Sequence, residues 1–351
     1  MSDISSQQFD SGYPGEKEAR LRSESESWDT SNPQSARAGD IPVLDLERYF
    51  SDGQPAALEK LANELYYASA RVGFYYVTGH GVPAKKVQQA FHENQRFHAL
   101  PLETKLAIQM DRPEWPVTGV GYLPFHNRKL PARKKGNANE AFIVKRELGP
   151  RNVSLDDNQW PAEQVLPGFR RNVESYADAI EGLAMKLLPI YARALGVEAG
   201  YFDQAFRSPT YRLRLSRYPS IKQHGTEANL IKYGIAPHVD TTFFTILAQD
   251  SEGLIIYNEP RKCWIKAPVI DDAFIINTGE LLKQWTNDRF ISVKHFANNN
   301  TDNLPRYSIP VFFNATADYR MHCIPTCCSD ENPPKYPAVS YLESQAVVQG
   351  E

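Results

Sequence analysis

The sequence is poor in cysteine, has no excess of basic residues and contains no long apolar run. Its 351 residues include four cysteines, three of them within residues 323–328, so a disulfide framework is excluded and a reducing compartment is favoured. The net charge of −3 argues against binding to a phosphate backbone. No apolar stretch reaches about 18 residues and no signal-peptide core is present, so we expect a soluble, cytoplasmic protein without membrane or nucleic-acid partners.

Aliphatic residues are scarce over the first 39 positions, where Ser, Glu, Gln and Gly are frequent. Such a stretch buries too little apolar surface to offset the entropy lost when a chain becomes ordered. We therefore expect residues 1–39 to form a polar tail that is flexible or draped over the surface.

Apolar residues recur with helical spacing over much of the segment from 40 to 205. The clearest case is 167–195, where residues such as Ile180 and Leu187 fall on one face. We predict a long amphipathic helix there, kinked or ending near Pro189, because proline removes a helical hydrogen bond. Further helices are predicted over 55–72, 84–99 and from 101 onward, with strands at 41–46 and 74–77 and short strands or loop edges at 119–124 and 140–144.

From Tyr211 onward the spacing of the apolar residues changes to a period of two. Tyr211 and Leu213 alternate with Arg212 and Arg214, as they do in a strand with one buried face. Short strand-like runs and turn signals then follow one another as far as Phe313. This pattern is typical of a β-sandwich or a β-barrel.

His238, Asp240 and His295 are candidate metal ligands. Residues i and i+2 of a strand project from the same side, so His238 and Asp240 can point into one cavity, which His295 can reach from another strand. Two imidazoles and one carboxylate form a facial triad with open coordination positions, which is typical of non-haem Fe(II) oxygenases. The alternatives are histidines that are only hydrogen-bonded and a zinc or nickel site of the cupin type.

Arg306 and Ser308 form a second candidate group, eleven residues after His295. Their spacing places a guanidinium and a hydroxyl on one face of the next predicted strand. A guanidinium can bind a carboxylate through two parallel hydrogen bonds, which fixes the geometry of the pair. These two residues are therefore suited to bind a carboxylate.

Together these groups resemble a known family, the 2-oxoglutarate/Fe(II)-dependent oxygenases of the isopenicillin N synthase-like group. The resemblance rests on His238-x-Asp240, His295 and Arg306-x-Ser308, on segment 253–256 followed by Trp264, and on segments 273–282 and 285–290. It extends more weakly from about residue 41 to residue 342.

The resemblance implies an α+β fold with a mainly β core. The core would be a double-stranded β-helix, also called a distorted jelly roll, with N-terminal helices wrapped around it. We expect three regions: the tail 1–39, a helical and mixed region 40–205 packed on the core, and a jelly-roll core with a C-terminal segment over 206–345. The second and third regions would form one structural unit.

The resemblance also implies the ligands. Fe(II) would be bound by the catalytic residues His238, Asp240 and His295. The cosubstrate 2-oxoglutarate would chelate the iron through its keto oxygen and one carboxylate, while its far carboxylate pairs with Arg306 and Ser308.

Tyr218 matches a family tyrosine that often donates a hydrogen bond to the cosubstrate. Two residues earlier, where many members of the family have Asn, this chain has Ser216. A serine hydroxyl has a shorter reach than an amide, so only Tyr218 is assigned to the cosubstrate site. The alternative for Tyr218 is a core tyrosine whose hydroxyl is bonded elsewhere.

The substrate wall is expected in the segment that covers the mouth of the active site in this family. Tyr122, Phe125, His126 and Phe142 are the candidates there, with Phe313 on the opposite side. Each of them could instead be an ordinary core or loop residue. Such a wall fits a small organic molecule that is partly apolar. We expect the protein to be a monomer or a homodimer.

The resemblance implies an enzyme that uses O2 and 2-oxoglutarate to oxidise a small molecule of secondary metabolism, releasing succinate and CO2. Hydroxylation, desaturation, cyclisation and rearrangement are all within the family's chemistry, and ascorbate is an expected stimulant. One alternative is an oxidase like isopenicillin N synthase, which needs no 2-oxoglutarate. Another is a non-catalytic binding module, whose usual mark is a broken triad, whereas all three ligands are present here.

Overall fold

Two facing β-sheets form the centre of the computed structural model, which describes residues 29–110, 119–125, 137–147, 158–223 and 233–344. The five-stranded sheet has the order β1 (Gln34–Ser35), β10 (Cys263–Lys266), β9 (Leu254–Asn258), β12 (His295–Asn298), β7 (Tyr233–His238). The eight-stranded sheet has the order β2 (Val43–Asp45), β3 (Phe74–Thr78), β11 (Phe274–Thr278), β8 (Phe244–Gln249), β13 (Arg306–Thr316), β6 (Pro209–Tyr218), β5 (Glu140–Lys145), β4 (Gly121–Leu123). Neighbouring strands are antiparallel, except that β1 and β10, and β2 and β3, run parallel.

Helices pack on the outer side of the eight-stranded sheet. They are α1 (Glu47–Asp52), α2 (Pro55–Tyr67) with a π-helical turn at Ala68–Val72, α3 (Ala84–His98), α4 (Leu102–Leu106), α5 (Phe169–Ala194) and α6 (Glu280–Trp285). The apolar face of α5 lies against α2, α3 and β13, as its periodicity predicted. This helix continues past Pro189 to Ala194.

Strands β6 and β13 have one apolar and one polar face. Leu213 and Phe313 belong to the outer face and are buried in the cluster that also contains the apolar side of α5. The inner face is turned toward the five-stranded sheet, since a side chain at Gly234 of β7 would collide with the Tyr218 ring. This face carries the polar residues Arg212, Arg214, Ser216, Tyr218, Arg306 and Ser308.

A second apolar cluster lies between the two sheets. Phe74 and Ile275 of the eight-stranded sheet join Leu254 and Ile256 of the five-stranded sheet there. These side chains fill one part of the interior, and the polar inner face of β6 and β13 lines another. The fold therefore leaves a polar space between the sheets beside this apolar cluster.

Residues 29–39 of the predicted tail lie on the five-stranded sheet, whereas residues 1–28 are outside the described ranges. Gln34 and Ser35 pair with Ile265 and Lys266 of β10, and the Thr30 hydroxyl is 2.6 Å from the Tyr233 hydroxyl. Within this part of the tail, Gln34 and Ser35 are thus part of the sheet. Among the described helices, none is long and apolar enough to cross a membrane. The region boundary near residue 205 stays a prediction.

Candidate metal centre and active site

Strands β7 and β12 bring the three candidate metal ligands together. His238 ends β7, His295 begins β12, and the two residues are paired directly across the sheet, so their side chains lie on the same side. Asp240 follows in the turn after β7. Its Oδ1 atom lies 3.5 Å from Nε2 of His238 and 3.6 Å from Nε2 of His295. Across the described residues, this is the group of three side chains close enough to hold one metal ion.

The two imidazole rings are held by their own backbone. Nδ1 of His238 is 2.9 Å from the carbonyl oxygen of Ala236, and Nδ1 of His295 is 3.1 Å from that of Val293. A carbonyl oxygen can only accept, so each Nδ1 carries a proton and donates it. The lone pair of each Nε2 is therefore left for a metal ion.

Asp240 is oriented in the same way. Its Oδ2 atom accepts hydrogen bonds from the Thr245 hydroxyl at 2.7 Å and from the Asn277 amide at 2.9 Å. Because Oδ2 is occupied, Oδ1 is the oxygen that faces the two imidazoles. Sequence reasoning missed Thr245 and Asn277, although Asn277 lies in segment 273–282, which helped to carry the family resemblance.

The charges in this site favour the protonation states that bind metal. Burial alone would raise the pKa of Asp240, but the neighbouring His295 and His238 and the Asn277 hydrogen bond hold it well below its usual range. Burial, together with the charge of His238, lowers the pKa of His295 to about 4. The carboxylate is therefore ionised and His295 is neutral at pH 7, which is the state that a metal ion requires.

A close backbone contact fixes the segment that leads into His295. The π-helical turn ends at Gly73, which has a φ of +75°, and a side chain there would lie 2.5 Å from the Val293 side chain. The amide of Ile291 donates to the carbonyl of Ser69 in the same turn. The local break in α2 thus allows the close approach that positions the Val293 carbonyl and, through it, His295.

Arg306, Ser308 and Tyr218 also come together, on the inner face of β13 and β6. Arg306 is paired with Tyr218 across the two strands, and its guanidinium lies 4.7 Å from the centre of the tyrosine ring. The Ser308 and Tyr218 hydroxyls are 3.5 Å apart. All three side chains are buried. The structure therefore brings together the residues that were predicted to bind a carboxylate.

The Arg306 guanidinium is held firmly but is not fully bonded. Its Nε donates to the carbonyl of Ser251 at 3.1 Å and its Nη2 to the amide oxygen of Gln249 at 3.3 Å. Gly253 leaves room for it, since a side chain there would lie 2.7 Å from Nε. Within the described ranges, the buried Nη1 has no hydrogen-bond partner. A buried cationic donor without a partner is costly, so an anionic oxygen is the ligand that fits here.

Ser216 lies between these residues and the rest of the inner face. It is paired with Ser308 across the strands, and its buried hydroxyl has no partner in the described part of the chain. The side chain thus faces the interior at the position where many members of the resembling family have Asn, but it makes no contact that would assign it to the cosubstrate.

A cavity of about 240 Å³ lies beside His238 and Asp240. Its wall includes Arg212 and Arg214 of β6 and Phe312 of β13. Sequence reasoning missed all three residues as site residues. The signal was present, because Arg212 and Arg214 lie an even number of residues before Tyr218, and Phe312 lies an even number after Ser308.

The expected substrate wall is corrected by the structure. Tyr122, Phe142 and Phe313 do not line the cavity, because they project from the outer face into the apolar cluster with α5. Phe125 is partly buried just after β4 and is not part of the cavity wall either. His126 lies outside the described residues. The three core residues are each one position away from a lining residue: Leu123, Ile143 and Phe312.

Two family models match the chain. Residues 41–163 match the N-terminal model of a non-haem dioxygenase in morphine synthesis, and residues 209–315 match the 2OG-Fe(II) oxygenase superfamily. The 2-oxoglutarate-Fe(II) type oxidoreductase hxnY of Emericella nidulans is 30% identical over 311 residues, which are 85% of this chain and 86% of that protein. Azadirone synthase of Melia azedarach is 30% identical over 322 residues, covering 88% and 92%.

Solved structures agree with these relatives. The full-length Neurospora crassa protein in complex with alpha-KG and thymine has a TM-score of 0.77 and 26% identity to this chain, covering 88% of it and 95% of that protein. The predicted double-stranded β-helix with N-terminal helices is confirmed.

The fold and the site thus define an oxygenase of the non-haem iron class. The chain belongs to the 2OG-Fe(II) oxygenase superfamily. It is a 2-oxoglutarate-dependent Fe(II) dioxygenase, as predicted, and the findings favour this function over an oxidase that works without 2-oxoglutarate.

Proposed function

We propose that His238, Asp240 and His295 bind the catalytic Fe(II), and that Arg306 and Ser308 bind the far carboxylate of 2-oxoglutarate. The observation that carries the proposal is that each of the three side chains has one polar atom hydrogen-bonded to the protein and one left for the metal. Both Nδ1 atoms are bonded to the backbone and Oδ2 of Asp240 is bonded to Thr245 and Asn277, so both Nε2 atoms and Oδ1 are left to converge. Two nitrogen donors and one anionic oxygen suit a divalent iron ion that must keep open positions for other ligands.

The cosubstrate site is proposed on the unpartnered guanidinium nitrogen. Arg306 would pair its buried Nη1 with a carboxylate oxygen, and Ser308 would donate from its hydroxyl to the same group. The Tyr218 ring makes a cation–π contact with the Arg306 guanidinium. We assign the Tyr218 hydroxyl, which lies beside that of Ser308, to the same carboxylate. The preformed geometry means that little side-chain entropy is lost when the cosubstrate binds.

When bound, Fe(II) would activate O2 with electrons from 2-oxoglutarate, which is oxidised to succinate and CO2, and O2 would thereby supply the oxidising power that removes hydrogen from an unactivated C–H bond. The protein residues would hold the ligands in fixed orientations, and a cavity of mixed polarity lies beside His238 and Asp240. We propose that the substrate is a small organic molecule of secondary metabolism. Relatives named azadirone synthase and proline hydroxylase, and the thymine complex of the Neurospora crassa protein, support a small molecule.

Some features of this proposal concern the setting of the reaction. Hydroxylation, desaturation, cyclisation and rearrangement all remain outcomes for the substrate, and ascorbate is proposed as a stimulant. Four free thiols favour a reducing compartment, so we propose a cytoplasmic enzyme, as a monomer or homodimer.

The test is to incubate the Fe(II)-loaded protein with labelled 2-oxoglutarate and O2 and to measure labelled succinate and CO2. We expect both products in equal amounts, formed only when Fe(II) is present. Small organic compounds can then be screened for those that stimulate succinate release. Binding of Fe(II) without any succinate, in the presence or absence of candidate substrates, would contradict the proposed function.

A further inference from the structure

Arg212 and Arg214 form a second cationic group on the inner face of β6. They share this face with Tyr218, but Arg214 is four residues away from it, which corresponds to about 13 Å along a strand. The group is therefore separate from the Arg306 site. Both arginines line the cavity that also contains His238 and Asp240.

The two guanidinium groups are positioned by the surrounding backbone and amides. With the Asn139 amide turned so that its oxygen faces Arg214, which satisfies both of its ends, Nη2 of Arg214 donates to that oxygen at 2.7 Å and the amide nitrogen donates to the carbonyl of Gly234 at 3.3 Å. The Arg212 guanidinium lies against Gly119, which has a φ of +73°, and a side chain there would be 3.1 Å from both terminal nitrogens. Arg214 is thus oriented by β7 through Asn139, and Arg212 lies on a tight glycine turn.

Arg212 presents a positive charge to the cavity. In the described part of the structure, no acidic side chain forms an ion pair with Arg212, and the acidic residue in the cavity wall is Asp240, which faces the two imidazoles. Side chains two residues apart on one strand face are about 7 Å apart, so the two cations repel each other. A negatively charged group bound between the two guanidinium groups would be attracted to both.

Part of the cavity wall is apolar. Leu123, Ile143, Ile235 and Phe312 line it together with the two arginines. A ligand that fits such a wall has an apolar body and a charged end. The volume of about 240 Å³ is enough for a small molecule.

We propose that the substrate of this enzyme is a small organic carboxylate, held by Arg212 and Arg214 through its carboxylate and by the apolar wall through its body. This inference rests on the proposed function, and it adds the chemical class of the substrate to it. The enzyme would then bind two different carboxylates at once: 2-oxoglutarate at Arg306 and the substrate at the β6 arginines. The carbon to be oxidised would lie toward His238 and Asp240.

The test compares matched acids and amides. Fe(II)-loaded protein saturated with 2-oxoglutarate is titrated under anaerobic conditions with hexanoate and 3-phenylpropanoate, and with hexanamide and 3-phenylpropanamide, by calorimetry. We expect at least one acid to bind ten-fold or more tightly than its amide. Replacing Arg212 or Arg214 with Gln should weaken binding of that acid by about 10- to 100-fold and leave the amide nearly unchanged, because a charge-assisted hydrogen bond is lost.

Arg193→Gln is the matched control, since Arg193 is an exposed arginine on α5 that pairs with Glu59. This variant should bind both probes as the wild type does. Arg212→Lys and Arg214→Lys, which keep the charge but not the planar fork, should fall between wild type and Gln. The thermal unfolding midpoint of each variant identifies any that fails to fold, and the Lys pair then carries the test.

Two failures are distinguishable in this experiment. If 2-oxoglutarate itself does not bind the Fe(II)-loaded protein, the proposed function fails. If 2-oxoglutarate binds but no acid is preferred over its amide, the substrate is not a carboxylate and this inference is wrong. A preference that persists in the Gln variants and disappears only in Arg306→Lys would also overturn it, because the probe would then occupy the cosubstrate site.

Discussion

The outer and inner faces of β6 and β13 are made by alternate residues of the same two strands. On the outer face, Leu213 and Phe313 are buried among aromatic and aliphatic side chains that fix the helices to the sheet. On the inner face, Arg214 and Ser308 lie in or near the polar space that holds the candidate site. Neighbouring residues of one strand thus serve different purposes: one stabilises the fold and the next lines the candidate site.

This difference teaches where substitutions should affect activity and where they should affect folding. A change on the outer face removes packing that the helices share, so it should lower stability while the site keeps its geometry. A change on the inner face removes a contact that a ligand would make, so it should lower binding or turnover while the fold remains. The following predictions test this separation, beginning with the largest effect.

Loss of a metal ligand should give the largest effect on activity. His238→Ala and His295→Ala should each abolish 2-oxoglutarate turnover, because each removes one of three protein ligands, and Asp240→Asn should do nearly as much by removing the anionic one. Turnover is measured as succinate release, and circular dichroism checks that the variants are folded. A variant that is folded and fully active would show that the metal site is elsewhere.

The adjacent residues Phe312 and Phe313 should respond in opposite ways. Phe313 is fully buried between Phe206 and Phe244, so Phe313→Ala should lower the free energy of unfolding by about 3–5 kcal/mol. Phe312 lines the cavity, so Phe312→Ala should cost less stability and should instead weaken binding of the primary substrate. Urea unfolding and substrate-stimulated succinate release measure the two effects. Equal losses of stability would refute the assignment of the two faces.

Arg306→Lys should separate the cosubstrate from the substrate. Lysine keeps the charge but loses the planar fork, and a lost charge-assisted hydrogen bond is worth about 1.5–3 kcal/mol. The affinity for 2-oxoglutarate should therefore fall by roughly 10- to 100-fold, at about 1.4 kcal/mol per factor of ten. Substrate affinity at saturating 2-oxoglutarate should change much less. If substrate affinity fell instead, Arg306 would be binding the substrate.

Glu140 is a charged residue on the otherwise mainly apolar outer face. Its replacement by Gln should give the smallest effect, a change in the pH dependence of stability that is seen only at acidic pH. Its carboxylate is bonded to Tyr122 at 2.5 Å, Lys105 at 3.0 Å and Arg217 at 2.5 Å. Burial alone would raise the pKa of Glu140, but His98, Tyr122 and Lys105 lower it well below its usual range.

A depressed pKa contributes stability that is fully present above the unfolded value, near pH 4.3–4.5, and is lost as the pH falls below it. Wild-type protein should therefore lose stability more steeply from pH 5 to pH 3 than Glu140→Gln, by at most about 1.4 kcal/mol per pH unit for one carboxyl. Urea unfolding at several pH values measures the two slopes. Parallel slopes would mean that folding does not lower the pKa of Glu140.

The convergence of the candidate metal ligands His238 and Asp240 was predictable because its evidence is local. The i and i+2 spacing of His238 and Asp240 fixes their direction within one strand, and the residue types limit the chemistry. Arg306 and Ser308 were predictable for the same reason. The pairing of His295 with His238 needed the resemblance, because a sequence does not state which strands become neighbours.

Tyr122, Phe142 and Phe313 were assigned to the substrate wall because aromatic character was weighed above strand parity. Phe313 follows Ser308 by an odd number of residues, so it must face outward, and Phe312 must face inward. Arg212 and Arg214 were interpreted only as the polar half of an alternating strand. In a two-sheet fold with both faces covered, the polar half also faces the interior, and here Arg212 and Arg214 line the cavity beside His238 and Asp240.

The strand at Gln34–Ser35 could not be predicted from composition. Its side chains are exposed, so no apolar pattern marks it. It is held instead by backbone pairing with the edge of β10, and such pairing is almost independent of side-chain type.

The most direct test of the central claim is the visible absorption of the anaerobic Fe(II) complex. Chelation of Fe(II) by the keto oxygen and carboxylate of 2-oxoglutarate gives a weak charge-transfer band. We expect this band when both ligands are added to wild-type protein, and no band for His295→Ala at the same concentrations. A folded, iron-loaded wild-type protein that shows no band, or a His295→Ala variant that shows the full band, would contradict the proposed site.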